Sequence, residues 1–181
     1  MSDPRHYLVV DTLKNGTVVT IRAIRPEDKT KLVSAFKNLD RESVYTRFFR
    51  YVKELTDQDL RRATEIDFDR EVALVVTTTL GDEETVIGAG RYVVCEEADS
   101  GRSAEVAFIV EEDYQGLGIA SCLLRHLIQI GRQQNVSRFV ADVLSGNQAM
   151  LRVFAGSGLP MKQQREGSVV QVTLSLDETL P

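Results

Sequence analysis

The chain has 181 residues, 43% of them apolar and 27% charged, which is the balance of one globular domain with a substantial core and excludes a disordered or fibrous protein. Its formal net charge of −5 lacks the basic excess of a nucleic-acid-binding surface and suits cationic partners better. The first residues have no apolar signal-peptide core and no run approaches bilayer length, so a cytoplasmic protein without nucleic-acid or membrane partners is expected. Cys95 and Cys122 have neither metal-site spacing nor a disulfide framework; they read as two small core residues, and no metal is expected.

In chain order, His6 to Asp11 and Thr17 to Ile24 are β-branched-rich runs separated by Asn15-Gly16, a hairpin signal because both residues tolerate positive φ. Residues 1–16 therefore read as an N-terminal hairpin extension of a domain spanning 17–181. Arg25-Pro26-Glu27-Asp28 ends the second strand and opens a helix whose Leu32, Val33, Phe36 and Leu39 recur at helical spacing. A second short helix is expected over Arg41 to Phe49, and a third, capped by Thr56-Asp57, runs to Thr64.

The pattern then turns to strands, Glu71 to Thr79 and Thr85 to Cys95, joined by the acidic loop Gly81-Asp82-Glu83-Glu84. A second acidic loop, Glu96 to Gly101, follows. Both read as solvated turns whose negative charge could draw a cationic amine towards an entrance. Ser103 to Val110 is an apolar run interrupted only by Glu105, as in a strand buried on both faces.

After that strand, Gly116 and Gly118 remove two side chains where a helix begins, so a ligand can meet unpaired N–H groups at the positive end of the helix dipole. The helix runs from Leu117 to Gln134, with Ile119, Leu123, Leu127 and Ile130 on one face. His126 lies in it without an evident acidic partner and reads as a surface or half-buried histidine. A strand from Arg138 to Leu144 and a helix from Asn147 to Phe154 come next, stopped by Gly156-Ser157-Gly158. Strands Met161 to Arg165 and Val169 to Leu176 close the chain, with Glu166-Gly167 between them.

The loop from Gln115 to Ala120 is thus an anion site. It lacks the Gly-Lys-Ser/Thr of a P-loop, and Ser121 and Asp142 meet a dinucleotide fingerprint only loosely. The order Gln115-Gly116-Leu117-Gly118-Ile119-Ala120, after Val110-Glu111-Glu112-Asp113-Tyr114, instead resembles the coenzyme-binding signature of the GNAT family of N-acetyltransferases. Glu112 stands where proline is usual. The opening Ile24-Arg25-Pro26 with Asp28, the stretch Ser43 to Phe49, and Asn147 to Leu159 are similar to further segments of that family, the second of them to bacterial protein lysine acetyltransferases. Met150, Phe154 and Leu159 depart from its usual Ala, Tyr and Phe.

The resemblance implies an α/β (α+β) GNAT fold: a mixed, mostly antiparallel twisted sheet of about seven strands, helices on both faces, and a splayed central strand pair. It implies that the N–H groups of Gln115, Gly116, Leu117, Gly118, Ile119 and Ala120 hold the pyrophosphate of acetyl-CoA, and that Asn147 contacts its pantetheine arm. Main-chain groups of Phe108, Ile109 and Val110 would pair with pantetheine and the developing oxyanion.

Acetyl transfer to an amine also needs an unprotonated nucleophile. For a lysine, with a pKa near about 10.4, the neutral form costs roughly 4–5 kcal/mol at neutral pH. Glu105, the one acid in the apolar strand, is expected to be the general base, with burial raising its proton affinity. Phe154 occupies the place of the family's usual general-acid tyrosine and cannot donate a proton. The expected function is an N-acetyltransferase with acetyl-CoA as acyl donor and a protein lysine or small amine as acceptor; the oligomeric state is left open, a homodimer included. The alternatives are a non-catalytic acyl-CoA sensor or assembly module and, from a third class, a nucleotide-binding redox domain.

Overall fold

A computed structural model describes residues 2–39, 54–99 and 101–177. The helix expected over Arg41 to Phe49 lies outside the described residues. Asn15-Gly16 closes the first hairpin, with Gly16 at φ +86° and the Asn15 side-chain carbonyl accepting from Thr17 N at 3.1 Å. That hairpin joins β1 (Leu8–Thr12) to β2 (Val18–Ala23).

Pro26 to Asp28 form a single 3-10 turn before α1 (Lys29–Lys37), so the helix starts three residues after the proline. Helix α2 (Asp57–Thr64) begins with a reciprocal capping box in which Thr56 and Asp59 each bond the other's backbone N–H. The remaining elements are β3 (Glu71–Leu80), β4 (Glu83–Ala98), β5 (Gly101–Val110), α3 (Ile119–Gln133), β6 (Val136–Leu144), α4 (Gln148–Ala155), β7 (Met161–Glu166) and β8 (Val169–Ser175).

The eight strands of the described residues belong to one sheet in the order β1-β2-β3-β4-β5-β6-β8-β7. Every pair is antiparallel except β5 with β6. The count among the described residues is eight rather than about seven, with β1 paired along its whole length with β2 at the sheet edge.

Helix α3 packs on one face, with Ile119, Leu123 and Leu127 at most 2% exposed; burying each such side chain contributes about 1.5–3 kcal/mol. Gly88 of β4 permits the close approach of its first turn, since a Cβ there would lie 2.7 Å from Ile119 Cγ2. Helices α1 and α2 sit over the other face. Among the described residues no helix is long and apolar enough to cross a membrane.

The two acidic loops are shorter than expected. Glu83 and Glu84 lie inside β4, as do Glu96 and Glu97. Glu84 pairs with Arg22 at 2.7 Å and Lys31 at 3.7 Å, and Glu97 with Arg102 at 2.9 Å and Arg70 at 3.3 Å. These pairs offset the charge of Glu84 and Glu97. Cys95 is exposed, not a core residue, because it sits where β4 bulges against β5; Cys122 is buried.

Candidate active site

The site begins where two parallel strands part. β5 and β6 pair only from Arg102–Val136 to Glu105–Val140; beyond that rung β5 continues against β4 alone and β6 against β8 alone. The edge of Phe108, Ile109 and Val110 that faces β6 therefore has no strand partner, and a wedge opens between the two strands. This is the splayed pair the resemblance implies.

The wedge leads to the start of α3. After β5 a 3-10 turn (Glu112–Tyr114) carries the chain into Gln115, whose side-chain amide donates back to Val110 O at 3.3 Å. Gly116 and Gly118 take φ +79° and +91°, conformations that cost an L side chain strain, and Gly118 is the N-cap. The first bond of the helical ladder runs from Cys122 N to Gly118 O at 3.0 Å. The N–H groups of Ile119, Ala120 and Ser121 precede that ladder and have no intrahelical carbonyl to bond. The arrangement is a helix N-terminus built to take an anion.

Two residues that sequence reasoning missed stand at this site. Lys14, from the β1–β2 turn, donates its backbone N–H to Leu117 O at 3.3 Å, and its side chain runs along Gly118, with Cε 3.3 Å from where a Cβ would sit. No pattern in the sequence ties it to a loop a hundred residues away. Glu111, just past β5, is 7% exposed and lines a cavity of about 260 Å³ with Ala107 and Ile109 of β5, Ala89 and Arg91 of β4, and Leu32 of α1. Burial, reinforced by the nearby Asp113, raises its pKa above the ordinary carboxyl value.

Glu105 is placed differently from the expectation. It is exposed, because helices cover β5 fully only on the α3 side, where Ala104, Val106 and Phe108 are buried. The strand is not buried on both faces, and the burial expected of Glu105 is not found. It nonetheless shares a face with Ala107 and Ile109 of the cavity wall, and stands at the last rung before the wedge. In the same row, across Val93, lies Glu71, ion-paired with Arg91.

Asn147 caps α4, its side-chain carbonyl accepting from Met150 N at 3.1 Å. Phe154 is 1% exposed, its ring centroid 6.0 Å from that of Phe108. His126 is not a surface histidine: it is 7% exposed, its Nδ1 lies 2.5 Å from the Tyr7 hydroxyl, and its Nε2 lies 3.8 Å from Asp11, an acidic partner supplied by β1.

The model of the Acetyltransferase (GNAT) family matches residues 38–158, more than half of the chain. An acetyltransferase of Pseudomonas aeruginosa is 30% identical over 141 residues, covering 78% of this chain and 74% of that protein. Acetyltransferase Pat of Mycolicibacterium smegmatis is 31% identical over 170 residues, covering 93% of this chain; the chain spans 50% of the length of that relative. Among solved structures, the GNAT domain of S. lividans PAT superposes with a TM-score of 0.83 at 33% identity, covering 93% of this chain and 96% of that one. The chain belongs to the GNAT family and is an acetyl-CoA-dependent N-acetyltransferase.

Proposed function

We propose that the wedge between β5 and β6 receives the pantetheine arm of acetyl-CoA, with the pyrophosphate on the N–H groups from Gly116 to Ala120 at the start of α3; the Gln115 N–H, expected to join them, is instead given to Glu112 O at 3.2 Å. The observation that carries this is the coincidence of the two features: the strands part after Glu105–Val140, and the opening ends at a helix N-terminus whose first N–H groups lack carbonyl partners. Lys14 adds a cation beside that N-terminus, and Asn147 has its side-chain NH₂ group to offer the arm. Main-chain groups of Phe108 to Val110 supply the hydrogen bonds that hold the thioester and stabilise the oxyanion formed on attack. A Salmonella typhimurium protein solved with acetyl-CoA has the same fold, at 21% identity and a TM-score of 0.67, over 90% of this chain and 96% of its own.

The acceptor is a primary amine, and the cavity favours a protein lysine. Its lining by Ile24, Leu32, Ala35, Ala89, Ala107 and Ile109 suits an aliphatic side chain rather than a polyhydroxylated amine. In the reaction the neutral amine attacks the thioester carbonyl, the C–S bond breaks as the amide C–N bond forms, and the amine proton passes to a carboxylate. Glu105 is the proposed base, from its position at the apex of the wedge on the cavity's face.

Glu111 is the second reading for that role, favoured by its burial in the cavity wall and its raised pKa. A thiol-release assay with acetyl-CoA and a panel of lysine peptides, polyamines and amino acids tests both. Peptide-dependent thiol release lost in Glu105→Gln and kept in Glu111→Gln supports Glu105; the reverse assigns the role to Glu111. Acetyl-CoA binding without acceptor-dependent release under any condition would contradict the catalytic reading.

A further inference from the structure

Away from the wedge, on the α3 face of the sheet, Asp11, Cys122 and His126 come together from β1 and α3. Cys122 and His126 are four residues apart, so the helix sets them one above the other on a single face. Their ligand atoms and that of Asp11 all lie within 4.8 Å of one another. Cys122 Sγ is 3.2 Å, and His126 Nε2 3.8 Å, from Asp11 Oδ2. A tetrahedral zinc ion with bonds of about 2.0–2.3 Å needs ligand atoms about 3.3–3.8 Å apart, so the two separations to Asp11 are already close to those of neighbouring corners.

The histidine is prepared for such a role. Its Nε2 is fully buried without a hydrogen-bond partner, an expensive state for a polar atom unless something binds it. Its other nitrogen, Nδ1, is engaged by the Tyr7 hydroxyl at 2.5 Å. When Nδ1 carries the proton and donates it to Tyr7, the Nε2 lone pair points bare into the cluster, as metal-binding histidines are held by an outer partner. Burial, with Arg125 next, lowers the His126 pKa, which keeps the ring in its neutral, ligating form.

We infer that Asp11, Cys122 and His126 form a site for a divalent transition metal, zinc by its mixed sulfur, nitrogen and oxygen donors, with Tyr7 orienting the imidazole. The fourth corner is left to water or an exogenous ligand. Burial and the Asp11 carboxylate push the Cys122 thiol up to about 11, so coordination must expel a firmly held proton: the S–H bond is replaced by an S–metal bond and the proton leaves to solvent. Arg125 now neutralises Asp11 at 2.7 Å, but its side chain is 66% exposed and can swing away into solvent. A bound ion would clip β1 to α3, the helix whose N-terminus faces the wedge.

The test is titration of the full chain, freed of metal with a chelator, with Co²⁺ followed by absorption and with Zn²⁺ by calorimetry. The expected result is one ion per chain, with a thiolate-to-cobalt charge-transfer band and the visible bands of a tetrahedral site. Cys122→Ser and His126→Gln are expected to weaken binding by more than about a hundredfold and Tyr7→Phe by about tenfold, whereas Cys95→Ser leaves the band intact. Arg125→Gln is expected to bind tighter by removing the competing cation. The wild-type spectrum needs no variant to fold: absence of the charge-transfer band at saturating cobalt overturns the proposal, as does a band that survives Cys122→Ser and disappears in Cys95→Ser.

Discussion

Glu105 and Val140 form the last rung between β5 and β6, the one parallel pair among the described residues of the sheet, and the strands separate immediately beyond it. The position sets the chemistry available to the acid. One residue earlier along β5 the backbone is tied on both sides; from residue 106 onward one edge is open to a ligand. A carboxylate at this rung stands between a main-chain crevice and the face carrying Ala107 and Ile109, where donor and acceptor would meet.

Gly118→Ala tests the proposed coenzyme loop. At φ +91° a methyl group costs about 1–2 kcal/mol, and the Lys14 side chain, 3.3 Å from the new Cβ, must shift as well. Acetyl-CoA affinity measured by calorimetry is expected to fall about tenfold or more while the far-ultraviolet circular dichroism stays unchanged. Wild-type affinity would mean that the loop does not hold the coenzyme.

Lys14→Gln removes the cation beside the same N-terminus. A loss of about 1 kcal/mol, or about fivefold in Kd for acetyl-CoA, is expected at low ionic strength, shrinking as salt is added. Equal affinities for the variant and wild type at low salt would remove Lys14 from the site.

Phe154 is a packing residue. Phe154→Ala should lower unfolding free energy by about 3–5 kcal/mol in denaturant titration, because it empties a site that is 1% exposed and opens the contact with Phe108. Phe154→Tyr should keep more than about a tenth of kcat/KM, a loss under about 1.4 kcal/mol. A gain in turnover with the tyrosine would show instead that a proton donor is wanted there.

Arg22 and Asp28, 3% and 1% exposed, form a two-pronged ion pair at 2.8 and 2.7 Å that ties β2 to the turn before α1. Burial pushes the Asp28 carboxyl up, but hydrogen bonds from Arg22 and the Arg25 N–H outweigh it, and the net pKa is lowered; Arg22 likewise lowers that of Glu84. A carboxyl depressed in the folded state stabilises fully above its unfolded pKa and loses that contribution as pH falls through the folded value. Thermal stability should therefore drop below about pH 4, and Asp28→Asn should flatten that dependence. At neutral pH the same variant should cost about 1.5–3 kcal/mol by losing the charge-assisted hydrogen bonds of the pair, while Glu84 still neutralises the Arg22 guanidinium. A melting temperature unchanged at pH 7 would count against it.

Local chemistry was legible in the sequence. Asn15-Gly16, the Thr56 to Asp59 box and the apolar stripe of α3 each act within a few residues, and each fold element appears where those residues require it. The glycines of the anion loop were legible too, since their positive φ leaves a composition signal.

What stayed hidden depends on partners distant in sequence. Glu105 looked buried because an apolar run tells of neighbours along the strand and not of which face the helices leave open. Glu84 looked like solvated loop charge until β2 brought Arg22 beside it. His126 and Asp11 lie 115 positions apart, and only the pairing of β1 into the sheet edge carries the acid to the helix.

The most direct test of the proposed chemistry is Glu105→Gln, with kcat/KM for the best lysine peptide measured beside the Kd for acetyl-CoA. A fall of about a hundredfold or more at neutral pH, with coenzyme affinity within about twofold of wild type, is the expected result, since general-base catalysis is worth about that much. Turnover equal to wild type at every pH would contradict it, and the carboxylate at the parting of the strands would then be a bystander.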